Sequence, residues 1–161
     1  MYTNNNIDVL LRNKLRQNNE NAIYSIGYSG KTLKDFMGIL TEYNITQVID
    51  IRMNSFSWKK DFRNKIFEAN MEKMDIKYIH IKNLGAPKEI REEIKSRNNP
   101  DKFFAEYRKW VIKNKISFEY LLDISQYKTS IILCVEEDYK LCHRKVIMDK
   151  MKRHGFRVHN L

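Results

Sequence analysis

The two cysteines of this 161-residue chain lie within the stretch CVEEDYKLCHRK, residues 134–145. Three consecutive acidic residues follow Cys134, and the stretch ends in the triplet Cys142-His143-Arg144. Thiol, imidazole, carboxylate and guanidinium groups so close in sequence can form a nucleophilic, acid–base, anion-binding or metal-binding site. The stretch is therefore the first candidate for a functional site.

Apolar residues recur at helical spacing directly after the triplet and predict a helix that begins at Cys142 and ends near His154. The N–H groups and dipole of a helix N-terminus lower the pKa of a cysteine and attract anions. We therefore predict Cys142 as a nucleophile and Glu136 with His143 as the proton-transfer pair. We expect Arg144 to bind an anion, so that its removal leaves the fold standing.

Cys134 has a different setting, because it lies between apolar residues of a predicted strand. We interpret it as a small buried apolar residue. A zinc site of Cys134, Cys142, His143 and His80 is an alternative, but the chain lacks the C-x2-C and H-x3-H spacings typical of zinc ligands. We predict no metal and no cofactor.

The elements that position these residues alternate regularly along the chain. Strands are predicted at AIYSIGYSG, TQVIDIR, KYIHI, TSIILCVE and FRVHNL, and segments with helical apolar spacing separate them. One of these helices is predicted to begin after the capping residue Thr32. Such alternation predicts a single Rossmann-like three-layer α/β domain with a mostly parallel sheet of about five strands.

Ligands of open parallel sheets bind at the carboxyl ends of the strands. Three predicted strands end in GYSG, DIR and a segment containing His80, so Gly27, Ser29, Arg52 and His80 join Arg144 as predicted ligand-binding residues. Each has a structural alternative: GYSG as an ordinary turn, Arg52 in an ion pair with Asp50, and His80 as a core histidine.

The chain is strongly basic, with a formal charge of +10, which favours a polyanionic partner. Lysines outnumber arginines 20 to 10 and asparagine is abundant, so compositional bias is an alternative source of this charge. The segment WKKDFRNK interleaves Lys59, Lys60 and Lys65 with Trp58 and Phe62, two aromatic residues that can stack on bases. We predict these lysines as nucleic-acid contacts.

The length fits one domain over residues 21–161, preceded by an arm or docked helix at residues 1–20. Only two cysteines indicate a reducing compartment, and we expect a cytoplasmic protein without a membrane partner. The oligomeric state is left open.

Five motifs, in order, give the chain a resemblance to a known family. They are SIGYSG, DIR, NSFS, YIHIKNLGAP and CVEEDYKLCHR, and the similarity that they mark spans Ile23 to Leu161. With them the chain resembles the domain-of-unknown-function 488 family, whose members carry Gly-His-Ser-like, Asp-Val-Arg, Asn-Pro-Phe-Ser-like and Cys-His-Arg signatures. Tyr28 stands where the family usually has histidine, and Ser55 and Tyr139 replace prolines.

The resemblance implies no reaction, because the family has none assigned. The residues that match its motif positions are Gly27, Ser29, Asp50, Arg52, His80, Leu84, Gly85, Glu136, Cys142, His143 and Arg144. We expect an anion site for a nucleotide or nucleic acid, belonging to an enzyme of unassigned reaction class. The alternatives are a non-catalytic nucleic-acid-binding module and a sulfur-transfer enzyme that uses Cys142.

Overall fold

A computed structural model describes residues 22–95 and 99–161 of the chain. The predicted arm at residues 1–20 lies outside this part. Five strands form one parallel sheet in the order β3-β2-β4-β1-β5. They are β1 (Ala22–Gly27), β2 (Gln47–Asp50), β3 (Lys77–His80), β4 (Ser130–Cys134) and β5 (Arg157–Asn160). The predicted α/β fold with a parallel sheet of five strands is confirmed.

Six α-helices connect the strands in the described residues. They are α1 (Leu33–Glu42), α2 (Asn64–Glu72), α3 (Lys88–Lys95), α4 (Pro100–Lys113), α5 (Lys115–Ser125) and α6 (Arg144–Arg153). The predicted cap is present: the Thr32 hydroxyl accepts from the backbone N–H of Asp35, and the Asp35 carboxylate accepts from Thr32. This reciprocal pair satisfies N–H groups that the first turn of α1 leaves free.

Side chains of the central strands point alternately to the two faces of the sheet, and the side chains on each face pack against helices in an apolar core. Ile26 and Val48 pack in the core beneath α1 and α2. Ile49 and Ile132 pack in the core beneath α4, α5 and α6. The domain therefore has three layers, and two successive residues at a strand end lie on opposite sides of the sheet.

The sheet order places the carboxyl end of β4 between those of β1 and β2. Gly27 is aligned with Cys134, and Asp50 with Leu133. The segment after β4 runs close over β1, since a Cβ atom added to Gly27 would lie 1.7 Å from the Glu136 carbonyl oxygen. Only glycine fits this close approach, which holds the Glu136 backbone at the sheet edge.

None of the helices in residues 22–95 and 99–161 has the length and apolar character needed to cross a membrane.

Candidate functional site

Four side chains with metal-ligating or nucleophilic atoms converge at the carboxyl end of β4: Cys134, Glu136, Cys142 and His143. One ligand atom from each lies within 4.8 Å of all the others. Cys134 is the last residue of β4, and His143 is the N-cap of α6. The helix begins at Arg144, so Cys142 and His143 precede the first turn in which the sequence placed them. We call this group the thiol cluster.

The Glu136 carboxylate lies between the two sulfurs. Its Oε2 atom is 3.1 Å from the Sγ atom of Cys134 and 3.2 Å from that of Cys142. The Nδ1 atom of His143 is 3.8 Å from each sulfur. The cluster thus offers two sulfurs, one carboxylate oxygen and one ring nitrogen around a common point.

A backbone carbonyl determines which ring nitrogen of His143 carries the proton. The Nε2 atom lies 3.1 Å from the carbonyl oxygen of Ile51 at the end of β2. Because a carbonyl oxygen only accepts hydrogen bonds, Nε2 carries the ring proton and donates this hydrogen bond. In the neutral imidazole, Nδ1 then holds the free electron pair on the side of the Cys142 sulfur, while the Cys134 sulfur lies 3.8 Å from both ring nitrogens. Edge-on contact with the Tyr107 ring, at 5.1 Å between centroids, also holds the imidazole.

Arg144 supports the cluster from within the protein, where none of its side chain is exposed. Its backbone N–H and its Nε–H donate to Cys142 Sγ at 3.5 and 3.3 Å. Its Nη2 atom donates to the carbonyl oxygens of Glu136 and Glu137. No carboxylate of residues 22–95 and 99–161 forms an ion pair with Arg144, and a buried cation needs negative charge nearby. The sulfur of Cys142 is the group placed to supply it.

These surroundings shift the pKa values of the two thiols in opposite directions. Burial opposes ionisation of Cys142, but its hydrogen bond with Cys134 and the positive charges of His143 and Arg144 outweigh burial and lower its pKa well below the ordinary value. Burial, followed by the contact with Cys142 and the charge of Glu136, raises the pKa of Cys134 well above the ordinary value. For His143, burial opposes protonation, but the negative charges of Cys142 and Glu136 raise its pKa. Cys142 is therefore the thiol that ionises first.

The four residues of the thiol cluster differ in their exposure to solvent. Cys134, Cys142 and His143 are 2%, 1% and 5% exposed, whereas Glu136 is half-buried. A ligand from solution therefore meets the Glu136 carboxylate before it meets either sulfur. Cys134 is buried as the sequence predicted, yet it also contacts Glu136 and His143.

A second buried polar network lies on the opposite face of the sheet, where Asp50 shares the side of Val48. Arg52 donates to both oxygens of Asp50, with its Nη2 atom 2.6 Å from Oδ2. Tyr78 donates to the same carboxylate at 2.7 Å. Burial opposes protonation of Arg52, but the hydrogen bonds and charge of Asp50 raise its pKa, while burial and then the Asp50 charge raise the pKa of Tyr78. The buried Asp50 and Arg52 and the half-buried Tyr78 thus satisfy one another.

The structure divides the predicted site residues between these two networks. Glu136, Cys142, His143 and Arg144 come together, whereas Arg52 lies in the Asp50 network and His80 donates from Nε2 to the Arg52 carbonyl at 2.7 Å. Gly27 forms the close approach to Glu136, and Ser29 is exposed with its backbone N–H bound to the Val135 carbonyl. Anion binding by these residues stays a prediction.

The predicted nucleic-acid contacts Lys59, Lys60 and Lys65 are exposed in and after the loop that follows β2. Trp58 is exposed as stacking on a base requires, but Phe62 is buried in the core, so its predicted stacking was wrong. Lys59 also donates to the carbonyl oxygen of Lys31 at 2.8 Å, which joins this loop to the turn after β1.

Sequence reasoning missed the complete four-residue cluster. It considered a zinc site of Cys134, Cys142, His143 and His80, whereas the structure brings Glu136 in place of His80 to the two cysteines and His143. The available signal was the spacing Cys-x-Glu followed by adjacent Cys-His, which differs from the ligand spacings of common zinc motifs. Only the turn between β4 and α6 folds this spacing into one cluster.

Comparison with known proteins identifies the family of the chain. The family model described as "Domain of unknown function DUF488" matches residues 32–151, about three quarters of the chain. The match includes α1 through most of α6, and with them all four residues of the thiol cluster. No curated protein and no solved structure matches the chain. The chain belongs to the DUF488 family.

Proposed function

We propose that the chain binds a transition metal ion of the zinc class through Cys134, Glu136, Cys142 and His143. The observation that carries this proposal is the convergence of their four ligand atoms within 4.8 Å. In a tetrahedral zinc site, bond lengths near 2.0–2.3 Å put neighbouring ligand atoms about 3.4–3.8 Å apart. The sulfur–oxygen distances of 3.1 and 3.2 Å and the sulfur–nitrogen distances of 3.8 Å lie close to these values.

The groups around the thiol cluster support the proposal. A metal-bound histidine usually donates its other ring N–H to a carbonyl or carboxylate, as His143 does to the Ile51 carbonyl. Two N–H groups of Arg144 donate to the Cys142 sulfur, which stabilises a thiolate. Two thiolates and one carboxylate carry −3, a divalent ion +2 and Arg144 +1, so the charges at the site balance. Balanced charge keeps the electrostatic cost of burial low.

The donor types select the class of metal. Thiolate and imidazole ligands suit zinc and related transition metals, whereas calcium and magnesium take oxygen ligands. Zinc also accepts the single carboxylate oxygen that Glu136 supplies.

The unequal exposure of the four ligands supports a catalytic rather than a purely structural centre. Cys134, Cys142 and His143 are buried, while Glu136 is half-buried. Catalytic zinc sites have three protein ligands and one position open to water or substrate, and the metal acts there as a Lewis acid. The three buried residues hold the ion, and Glu136 is the exchangeable ligand and the candidate general acid or base. The chain is then a metal-dependent enzyme.

Metal analysis of the full chain, purified without chelators, tests the proposal. We expect about one zinc per chain by elemental mass spectrometry, as a single four-ligand site requires. Loading with cobalt should produce the thiolate charge-transfer and intense visible bands of tetrahedral cobalt. Cys142→Ser should lose the metal and these bands.

Glu137→Gln is the matched control for Glu136→Gln, because Glu137 is the neighbouring carboxylate and lies outside the thiol cluster. The control should bind like the wild type, whereas Glu136→Gln should bind more weakly. A folded wild-type chain without stoichiometric metal, which also fails to bind added zinc or cobalt, would overturn the proposal.

A thiol enzyme that uses Cys142 is the second candidate. The lowered pKa of Cys142, caused by its contact with Cys134 and the charges of His143 and Arg144, favours it. Its 1% exposure opposes direct attack on a substrate. Iodoacetamide labelling separates the candidates: a metal site predicts that Cys142 is protected until a chelator is added. Rapid labelling that a chelator leaves unchanged would support the thiol enzyme.

A further inference from the structure

The loop at residues 54–58 has an inverted pattern of burial, and we call it the aromatic loop. Ser55 and Ser57 are buried, whereas Phe56 is 55% and Trp58 is 89% exposed. A loop that folds only for stability would bury the aromatic rings and leave the hydroxyls in water. The aromatic loop does the opposite, so its exposed rings need another explanation.

Hydrogen bonds hold the aromatic loop in this orientation. The Ser57 hydroxyl accepts from Tyr28 Oη and from the Lys59 backbone N–H, both at 3.1 Å. The Ser57 carbonyl accepts from Arg63 Nε at 3.0 Å. The Ser55 carbonyl accepts from the Asn64 backbone N–H at 3.2 Å. The two rings are thus presented by a supported backbone, which reduces the entropy lost when a ligand stacks on them.

Positively charged residues follow the exposed rings in the sequence. Residues 53–65 contain Lys59, Lys60, Arg63 and Lys65 against Asp61, a net charge of +3. The Arg63 guanidinium lies 5.3 Å from the centre of the Phe56 ring, and the Phe56 and Trp58 rings meet edge to face at 5.8 Å. Bases stack on exposed aromatic rings while lysines and arginines pair with the phosphates that follow. We call Lys59, Lys60 and Lys65 the loop lysines.

The aromatic loop also borders the sheet edge that carries the thiol cluster. Lys59 donates to the Lys31 carbonyl at 2.8 Å, and Lys31 forms an ion pair with Glu137 at 3.8 Å. Glu137 follows the cluster residue Glu136 directly. These contacts link the segment after the aromatic loop to the residue next to the thiol cluster.

We infer that the aromatic loop and the loop lysines bind single-stranded nucleic acid, with Phe56 and Trp58 as base-stacking platforms. Exposed aromatic rings combined with positive charge favour this occupant over an apolar protein surface. The inference stands on the loop alone and does not depend on a bound metal.

Fluorescence anisotropy with a labelled oligothymidylate, on the full chain at low salt, tests the inference. Trp58→Ala should weaken binding by about 5-fold to 150-fold, the range expected for loss of one base-stacking contact. Tyr127→Ala is the matched control, because Tyr127 is 84% exposed and precedes β4 at the other end of that strand. It should bind like the wild type, and circular dichroism should show both variants folded.

The inference fails if the oligonucleotide does not bind at low salt, or if the Trp58→Ala and Tyr127→Ala variants bind equally well. A chain that ignores the oligonucleotide but forms dimers in sedimentation, which Trp58→Ala dissociates, would assign the aromatic loop to a second copy of the chain. That outcome also overturns the inference. A wild-type chain that binds the oligonucleotide but does not bind zinc would refute the metal proposal and leave the nucleic-acid inference standing.

Discussion

Replacing Arg144 with alanine distinguishes a structural arginine from the anion contact that the sequence predicted. None of the Arg144 side chain is exposed, and its donors reach Cys142 Sγ and the carbonyl oxygens of Glu136 and Glu137. Alanine removes these bonds, leaves a cavity and takes the positive charge away from Cys142. We therefore expect the variant to be destabilised.

The expected size follows from these contacts. Breaking a buried charged interaction by removing one partner costs about 3–5 kcal/mol. In a domain of this length, 1 kcal/mol shifts the midpoint of thermal unfolding by about 2–4 °C, so we expect a decrease of about 6–20 °C. Arg144→Lys keeps the charge but loses the planar set of donors, and its decrease should be smaller.

Differential scanning calorimetry measures this shift, with Arg153→Ala as the matched control. Arg153 is exposed in the last turn of the same helix, so its replacement should change the free energy of unfolding by less than about 0.5 kcal/mol. Both variants should be compared in chelator and with added zinc, because a bound metal stabilises the folded state. In zinc, Arg144→Ala should also bind the metal about 10-fold to 100-fold more weakly, the usual effect of losing a group that supports a metal ligand.

One result would refute this reasoning. If Arg144→Ala unfolds within about 2 °C of the wild type, a shift worth 1 kcal/mol or less, its contacts are not structural. Loss of phosphate binding in the same variant would then support the anion contact predicted from sequence.

Three further predictions concern the frame of the site and its surface. Gly27→Ala should destabilise the fold by about 1–3 kcal/mol or more in urea unfolding, since the added Cβ atom would overlap the Glu136 backbone. Gly38 has open space around it, so Gly38→Ala should stabilise helix α1 by about 0.5–1 kcal/mol in the same assay. Asp50→Asn should cost about 3–5 kcal/mol in the same assay, because Arg52 loses its buried counter-charge; a loss below about 1 kcal/mol would contradict the network described above. Replacing the three loop lysines with alanine should flatten the log–log salt dependence of oligonucleotide binding by about two units, at roughly 0.7 per phosphate contact. An unchanged slope would mean that the charge of +10 is compositional.

The sequence by itself determined the elements of this fold. Short apolar runs and helical apolar spacing are local properties, so they located the five strands and the helices between them. Thr32 marked the start of α1, and the turn residues after β1 marked the carboxyl edge of the sheet. These signals depend on residues a few positions apart, so they can be interpreted without knowledge of the tertiary contacts.

Only the tertiary structure decided which strand-end residues meet. The strand order puts β4 between β1 and β2, which brings the Ile51 carbonyl to His143 and lets it orient the ring. Successive residues at a strand end lie on opposite faces, so Cys134 joins the thiol cluster while Asp50 and Arg52 form a network on the other side.

Burial was likewise decided by the folded chain. Sequence reasoning expected Arg144 to be accessible to an anion and counted Trp58 among the aromatic residues able to stack on bases. The fold buries Arg144, which is 0% exposed, and leaves Trp58 89% exposed. The physical reason is that long-range partners set burial: the carbonyls after β4 enclose Arg144, whereas Tyr28 binds Ser57 and thereby turns its neighbour Trp58 outward.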